Sequence, residues 1–341
     1  MPSDPLIAET NPAESLAAID LGSNSFHMSV ARPLEGDFQV IDRLKEMVRL
    51  AEGLTEDRDL MPEVATRALA CLERFGQRLR GMPPGSVRAV GTNTLRQLNP
   101  SSGFLPLAEA ALGHPIEIIA GREEARLIYL GVANGLAAGD QRRLVVDIGG
   151  GSTEIIVGEG FTPRLRESLT MGCVSASLRH FGDGVITAER MHRAELAGAL
   201  EIRPVRERFR QSGWRDAVGS SGTIKAIAAV VAAQGWGTDG ISADALRRLR
   251  EALVGFGHVA DIALDGLTEE RRPVFTGGVA VLSAVFTALG IERMQVSDEA
   301  LREGLLYEMM GLVRHLDVQE RSVAVLAQRY GIDEAHAGRI R

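Results

Sequence analysis

Cysteine is almost missing from this chain: Cys71 and Cys173 are the only two in 341 residues, so no disulfide framework can be built. The seven histidines are scattered and no C-x-x-C or H-x-x-x-H spacing occurs, which excludes the usual zinc patterns and points to a reducing, cytoplasmic compartment. A signal peptide is also lacking. The opening "MPSDPLIAETNPAES" is polar and proline-containing, without a basic or apolar region, and residues 1–15 read as a loose tail. No apolar run looks long enough for a bilayer: the longest, Gly277 to Ile291, falls short of the roughly 18 to 20 residues required, so no membrane span is expected and the run predicts a buried helix. An excess of positive charge is absent as well. The formal net charge of −7 excludes broad nucleic-acid binding and requires any polyanion site to be a local concentration of donors and metal. The arginine clusters Arg142-Arg143, Arg247-Arg248-Arg250 and Arg271-Arg272 read as solvated faces.

What remains is a globular composition, 45% hydrophobic and 24% charged, at a length that suits two domains of about 150 residues each. Strand-like runs at Leu16 to Leu21, Val87 to Gly91, Ile116 to Ala120 and Leu144 to Ile148 alternate with amphipathic stretches such as Pro62 to Leu79 and Arg122 to Gly131. That alternation is the α/β pattern. The chain also repeats itself: "DLGSNSFHMSV" at 20–30 and "DIGGGSTEIIV" at 147–157 share Asp, Gly, Ser and Val, which marks an internal duplication.

In each copy an apolar strand ends at an aspartate, Asp20 or Asp147, and a turn of small residues follows. Gly22, Ser23, Asn24 and Ser25 form the first turn, and Gly149, Gly150, Gly151, Ser152 and Thr153 the second. Small residues let backbone N–H groups close on an anion, so each turn is a candidate phosphate loop, although the same pattern also fits an ordinary β-hairpin. A third stretch, "DAVGSSGTIKAIAAVVAA" at 216–233, reads strand, loop, helix. Its loop, Gly219, Ser220, Ser221, Gly222 and Thr223, suits either a structural turn or an anion contact at a helix N-terminus. No Walker lysine follows at the required spacing, which disfavours a P-loop nucleotidase.

Taken together, "AAIDLGSNSFHM", "GTNTLRQ", "GREEARLIYLGV", "VVDIGGGSTEIIVG", "MGCVS", "GSSGTIKAI" and "SDEALREGLLYEM" resemble the exopolyphosphatase and guanosine pentaphosphate phosphohydrolase family, within the actin, sugar kinase and heat-shock chaperone ATPase superfamily. The resemblance runs in order from about residue 16 to 312. It implies two actin-like (ribonuclease H-like) α/β domains, residues 16–135 and 136–316, each on a mixed five-stranded sheet, with the active site in the cleft between them. Two positions depart from the family: Glu299 replaces a frequent glycine, and Thr276-Gly277-Gly278 stands where a proline-containing turn is common. Residues 317–341 resemble the opening of a helical, HD-like region, so the chain reads as part of a longer protein.

Phosphoanhydride hydrolysis needs charge neutralisation and a positioned water. Asp147 and Glu154 flank the second loop, where a hairpin can bring both to one mouth suited to Mg²⁺, and the resemblance assigns them that metal. "GREEARL" places Glu123 and Glu124 at a helix start, where acids also serve as plain dipole partners. The resemblance makes Glu124 the general base, with Glu123 supporting the helix. It also makes Arg96, after the hydroxyl-rich turn that contains Thr94, a phosphate-binding fork. Cys173 and His27 read as packing residues. The implied activity is Mg²⁺-dependent removal of terminal phosphate from inorganic polyphosphate, with guanosine pentaphosphate as the alternative substrate, in a homodimer. An actin-like nucleotide-binding kinase or sensor is the competing class, and the Glu123-Glu124 pair weighs against it.

Overall fold

Two sheets with one wiring scheme organise the chain. In the computed structural model, which describes residues 15–34, 37–136 and 141–311, the first sheet is formed by β1 (Leu16–Leu21), β2 (Phe26–Pro33), β3 (Phe38–Glu46), β4 (Val87–Gly91) and β5 (Ile116–Ile118) in the order β3-β2-β1-β4-β5. The second comprises β6 (Arg142–Ile148), β7 (Thr153–Glu159), β8 (Thr162–Leu169), β9 (Asp216–Ser220), β10 (Ile241–Ser242) and β11 (Arg293–Val296), ordered β10-β11-β9-β6-β7-β8. In both, the first strand pairs antiparallel with the second and parallel with the fourth. The duplication seen in the sequence is therefore a duplication of topology. The second sheet has six strands instead of five because the two-residue β10 adds an antiparallel edge to β11. The expectations for most of the N-terminal tail and for the helical C-terminal region lie outside the described residues.

Helices cover the sheets: α1 (Pro62–Arg78), α2 (Asn93–Gln97), α3 (Phe104–Leu112), α4 (Gly121–Gly135), α5 (Cys173–Phe181), α6 (Ala188–Ser212), α7 (Ser221–Ala233), α8 (Ala243–Phe256) and α9 (Arg272–Leu289), followed by a helix over 301–311, α10. The apolar stretch near residue 280 is the interior of α9, which begins earlier than its composition suggested. Its 18 residues and mean hydropathy of 1.5 reach the length and apolarity of a bilayer span, yet 78% of it is buried inside the fold. Thr276, Gly277 and Gly278 lie within this helix and not in a turn; a Cβ on Gly277 would stand 2.4 Å from Ser177 Oγ and 2.6 Å from the Cys173 carbonyl, so glycine there lets α9 dock on α5.

Each lobe has its own core, and a third cluster joins them. Ala18, Val90 and Ile119 from the first lobe and Val145, Ile156 and Val218 from the second converge on α4 and α10, through Leu127, Ile128, Tyr129, Leu301, Leu305 and Leu306. The two helices cross at Gly131 and Gly304: a Cβ on Gly304 would approach the Leu127 carbonyl to 1.9 Å, and one on Gly131 the Ala300 carbonyl to 2.1 Å. α4 leads out of the first lobe but lies on β7 and β8 of the second, where Gly158 makes room for the Tyr129 ring and Tyr129 Oη donates to the Gly160 carbonyl at 3.0 Å. The cleft sits where the carboxyl ends of β1, β4, β6 and β9 face one another across these helices.

Candidate functional site

Cross-strand register writes the site as two rows. In the first sheet Asp20 on β1 is paired with His27 on β2, and His27 with Lys45 on β3. In the second, Ser220 on β9 is paired with Asp147 on β6, Asp147 with Glu154 on β7, and Glu154 with Ser168 on β8. Directly opposed residues project to the same face of a sheet. Each copy thus carries an aspartate and, one strand over, a second polar group aimed the same way.

A cleft of about 290 Å³ lies between the rows. All four residues of the first loop, Gly22, Ser23, Asn24 and Ser25, line it, as do Gly149, Gly150 and Ser152 of the second and Ser221, Gly222 and Thr223 of the expected third. The first two loops touch: a Cβ on Gly150 would lie 2.9 Å from Ser23 Cβ. The second loop is anchored from behind by the start of α5, where Cys173 N–H donates to the Gly149 carbonyl and Val174 N–H to the Gly150 carbonyl, both at 2.9 Å. Gly172 permits this approach, since its Cβ would fall 2.3 Å from the Gly150 oxygen, and that explains the "MGCVS" motif. The expected third loop is not a separate loop: β9 ends at Ser220 and α7 begins at Ser221, which holds a left-handed backbone, φ 83°, a strained conformation for a serine at the junction beside the cleft.

Other expected contacts are made differently. Thr153 Oγ1 donates to the Met171 carbonyl at 2.7 Å and is fully buried. Gly219 packs under Ile224 and Met294, and Gly151 lies beside Asn93. Ser220 Oγ donates to Asp147 Oδ2 at 2.5 Å, so its hydroxyl is spent on the carboxylate. Thr94 is buried within α2, and the threonine that reaches the cleft from this turn is Thr92. Arg96 does not line the cleft. Its Nη1 donates to the Ile119 carbonyl at 3.0 Å and to Glu124 Oε2 at 2.6 Å, which makes it a clamp on the candidate base.

Glu124, 7% exposed, faces the cleft from the first turn of α4. Burial raises its pKa to about 7, against the pull of Arg96 and with help from Asp147. Glu123 is absent from the cleft: Arg126 grips it through two nitrogens, at 2.6 and 2.9 Å, and holds its carboxyl below the ordinary range. Arg126 also pairs with Glu308 of α10, so Glu123 belongs to the network that ties α4 to α10 and not to the chemistry.

Asp147 and Asp20 complete the floor. Burial lifts Asp147 to about 6, opposed by the Ser220 hydroxyl and Lys225. Burial and then Glu124 lift Asp20 to about 7, against Arg302. Asp20 Oδ1 and both amide atoms of Asn24 are buried without a partner in the protein. Glu154 is recessed from the cleft wall, 1% exposed, with Oε1 accepting from Ser168 Oγ at 2.7 Å, and burial with Glu124 and Asp147 nearby pushes its pKa well above the usual range. Among the described residues no three His, Cys, Asp or Glu side chains cage a metal by themselves. The floor nonetheless fits Mg²⁺, which takes one or two carboxylates and leaves its other positions to water and phosphate. Crowded acids and orphaned oxygens are the donor chemistry that such a cation satisfies.

Residues that the sequence did not assign to the site supply the cationic side. Lys45, Lys225, Arg271 and Arg302 all line the cleft, from four separate segments. Burial, and then these four charges in the order Arg302, Lys45, Arg271, Lys225, hold His27 well below the ordinary histidine value, and its Nε2 lies 2.7 Å from Ser25 Oγ. Arg271, expected on a solvated face, is a cleft residue. Two of the four stood inside quoted motifs, Lys225 in "GSSGTIKAI" and Arg302 in "SDEALREGL", and Arg271 stood in an arginine pair; nothing local in the sequence marked Lys45. The arrangement of an acidic floor, amide-rich loops and a cationic mouth suits a chain of phosphates with its end on the floor.

The model of the Ppx/GppA phosphatase family matches residues 29–313. The chain belongs to that family. As a Ppx/GppA protein it is a hydrolase of phosphoanhydride bonds. A guanosine-5'-triphosphate,3'-diphosphate pyrophosphatase of Photobacterium profundum is 42% identical over 333 residues, 97% of this chain and 67% of that protein. Among solved structures, an exopolyphosphatase from Cytophaga hutchinsonii superposes with a TM-score of 0.78 at 23% identity, covering 87% of this chain and 98% of that one. The Aquifex aeolicus PPX-GPPA enzyme superposes at 0.70 with 24% identity, covering 86% and 98%. At those identities the structures establish the shared fold of this Ppx/GppA chain.

Proposed function

We propose that this Ppx/GppA protein removes the terminal phosphate from inorganic polyphosphate by attack of a water that Glu124 orients and deprotonates. One observation carries the reading: a buried carboxyl, fixed by Arg96 at 2.6 Å, faces a cleft whose walls are loop amides and hydroxyls. A carboxyl with a pKa of about 7 matches the demand on a general base near neutrality. Loop amides of residues 22–25 and 149–152 bind the end phosphate, and glycine at 150 lets the two loops pack against each other at that point. Asp147, with Asp20 beside it, would hold Mg²⁺, which when bound neutralises charge on the phosphoryl oxygens. Lys45, Lys225, Arg271 and Arg302 hold the remainder of the chain and let an acidic protein accept a polyanion. We place the enzyme in the cytoplasm as a homodimer, from its cysteine usage and family resemblance.

A second substrate, guanosine pentaphosphate, is favoured by the 42% identity to a protein named for that activity. Orthophosphate release from long polyphosphate, guanosine pentaphosphate and ATP, measured side by side with and without Mg²⁺, separates the readings. Release from ATP alone would return the protein to the kinase or sensor class.

A further inference from the structure

Lys45 stands at the outer end of the row that starts at Asp20, and its side chain shares the cleft-facing side of the first sheet with His27. Its partner comes from the other lobe. Lys45 Nζ donates to Glu270 Oε2 at 3.4 Å, a bridge between residues 225 positions apart. Glu270 lies in the turn that leads into α9, immediately before the cleft residue Arg271. Both side chains are partly open to solvent, 39% and 44% exposed. Lys225 is likewise held, by the Asp298 carbonyl at 2.8 Å and carboxylate at 3.0 Å. The contact to Glu270 differs in spanning the mouth from lobe to lobe.

A carboxylate here does two things to an entering phosphate chain. It repels the chain, and it occupies a cation that the chain would otherwise use. We infer that Glu270 is an electrostatic gate on the cleft, competing with substrate phosphate for Lys45, so that the Lys45–Glu270 bridge opens when a polyanion enters and sets how tightly such anions bind. This inference rests on the reading that phosphate chains enter between the lobes. An exposed pair of this kind is weak, so the gate is shallow and is opened by a ligand with several charges.

The test is a double-mutant cycle on the full chain in the slow-turnover Glu124→Gln background, with equilibrium binding of inorganic tripolyphosphate read by calorimetry at fixed Mg²⁺. Glu270→Gln tightens binding about two- to fivefold, the scale of an exposed ion pair, and Lys45→Gln weakens it. In the Lys45→Gln background, Glu270→Gln has less than half its single-mutant effect, because no bridge is left to release. In turnover assays the change falls on KM. If Glu270→Gln weakens binding, the bridge is a clamp that holds the lobes together and the gate is wrong. Equal tightening with and without Lys45 would also overturn it, leaving only a distant repulsion. Failure of the hydrolytic reading would show separately, as absence of orthophosphate release by the unaltered protein.

Discussion

The sharpest contrast at the residue scale is between two adjacent glutamates. Glu124 faces the cleft and Glu123 is locked to Arg126, so Glu124→Gln should lower turnover by roughly 10² or more, the scale of lost general-base catalysis, while Glu123→Gln stays within a few fold. Steady-state rates of both variants on one substrate decide this, and a reversed order would exchange their roles. Arg96 now predicts a different signature from that of a phosphate ligand. Because it holds Glu124 and lies off the cleft wall, Arg96→Ala should reduce kcat with little change in KM, and a pure KM effect would restore the phosphate fork. Asp20 carries a pH consequence. Its folded pKa of about 7 lies above the ordinary 3.8, so the native state keeps a proton that the unfolded chain releases. Its contribution therefore falls as pH rises from about 4 to 7 and is constant above, a loss on the order of a few kcal/mol. In metal-free buffer Asp20→Asn should melt above the unaltered protein at pH 8 and level with it at pH 4. An equal gap at both values would mean that Asp20 does not carry the proton.

At the scale of elements, the crossing of α4 and α10 is the most exacting contact. Backbone meets backbone where Gly304 passes the Leu127 carbonyl, and no side-chain rotation can relieve an added methyl. Gly304→Ala should cost roughly 1 to 3 kcal/mol, the range for overpacking, visible as a lower midpoint in thermal melts. Since α4 also presents Glu124, activity should drop further than stability alone explains. A variant that melts like the unaltered protein would show that the helices can separate slightly without cost.

For the whole molecule, the question is how a chain of net charge −7 holds a polyanion. Four cations collected from distant segments line the mouth although the protein is acidic. Affinity for long polyphosphate should therefore fall steeply with added salt, as counterions released on binding compete, and tripolyphosphate should show a shallower slope because it meets fewer charges. Binding of both to the Glu124→Gln variant at two ionic strengths and constant Mg²⁺ checks this. Equal slopes would confine the grip to the terminal phosphates and favour guanosine pentaphosphate over polyphosphate.

The α/β class, the duplication and the two small-residue loops after Asp20 and Asp147 were legible in the chain because each depends on neighbours in sequence: an apolar strand, an aspartate at its end, and a turn that only small residues can make. Asp20 and Asp147 could be placed at matching strand ends for the same reason. Which side chains see the cleft was decided by register and by lobe packing, which bring together residues far apart in the chain. That is why Ser220 and Ser168 turn out to hold carboxylates, why Arg96 is occupied by Glu124, and why Glu154 sits behind the wall that Asp147 lines. It is also why Lys45 and Arg271, unremarkable among many surface cations in the sequence, meet at one mouth: a local pattern fixes the face on which a residue lies, and only the docking of the two lobes fixes what that face looks at.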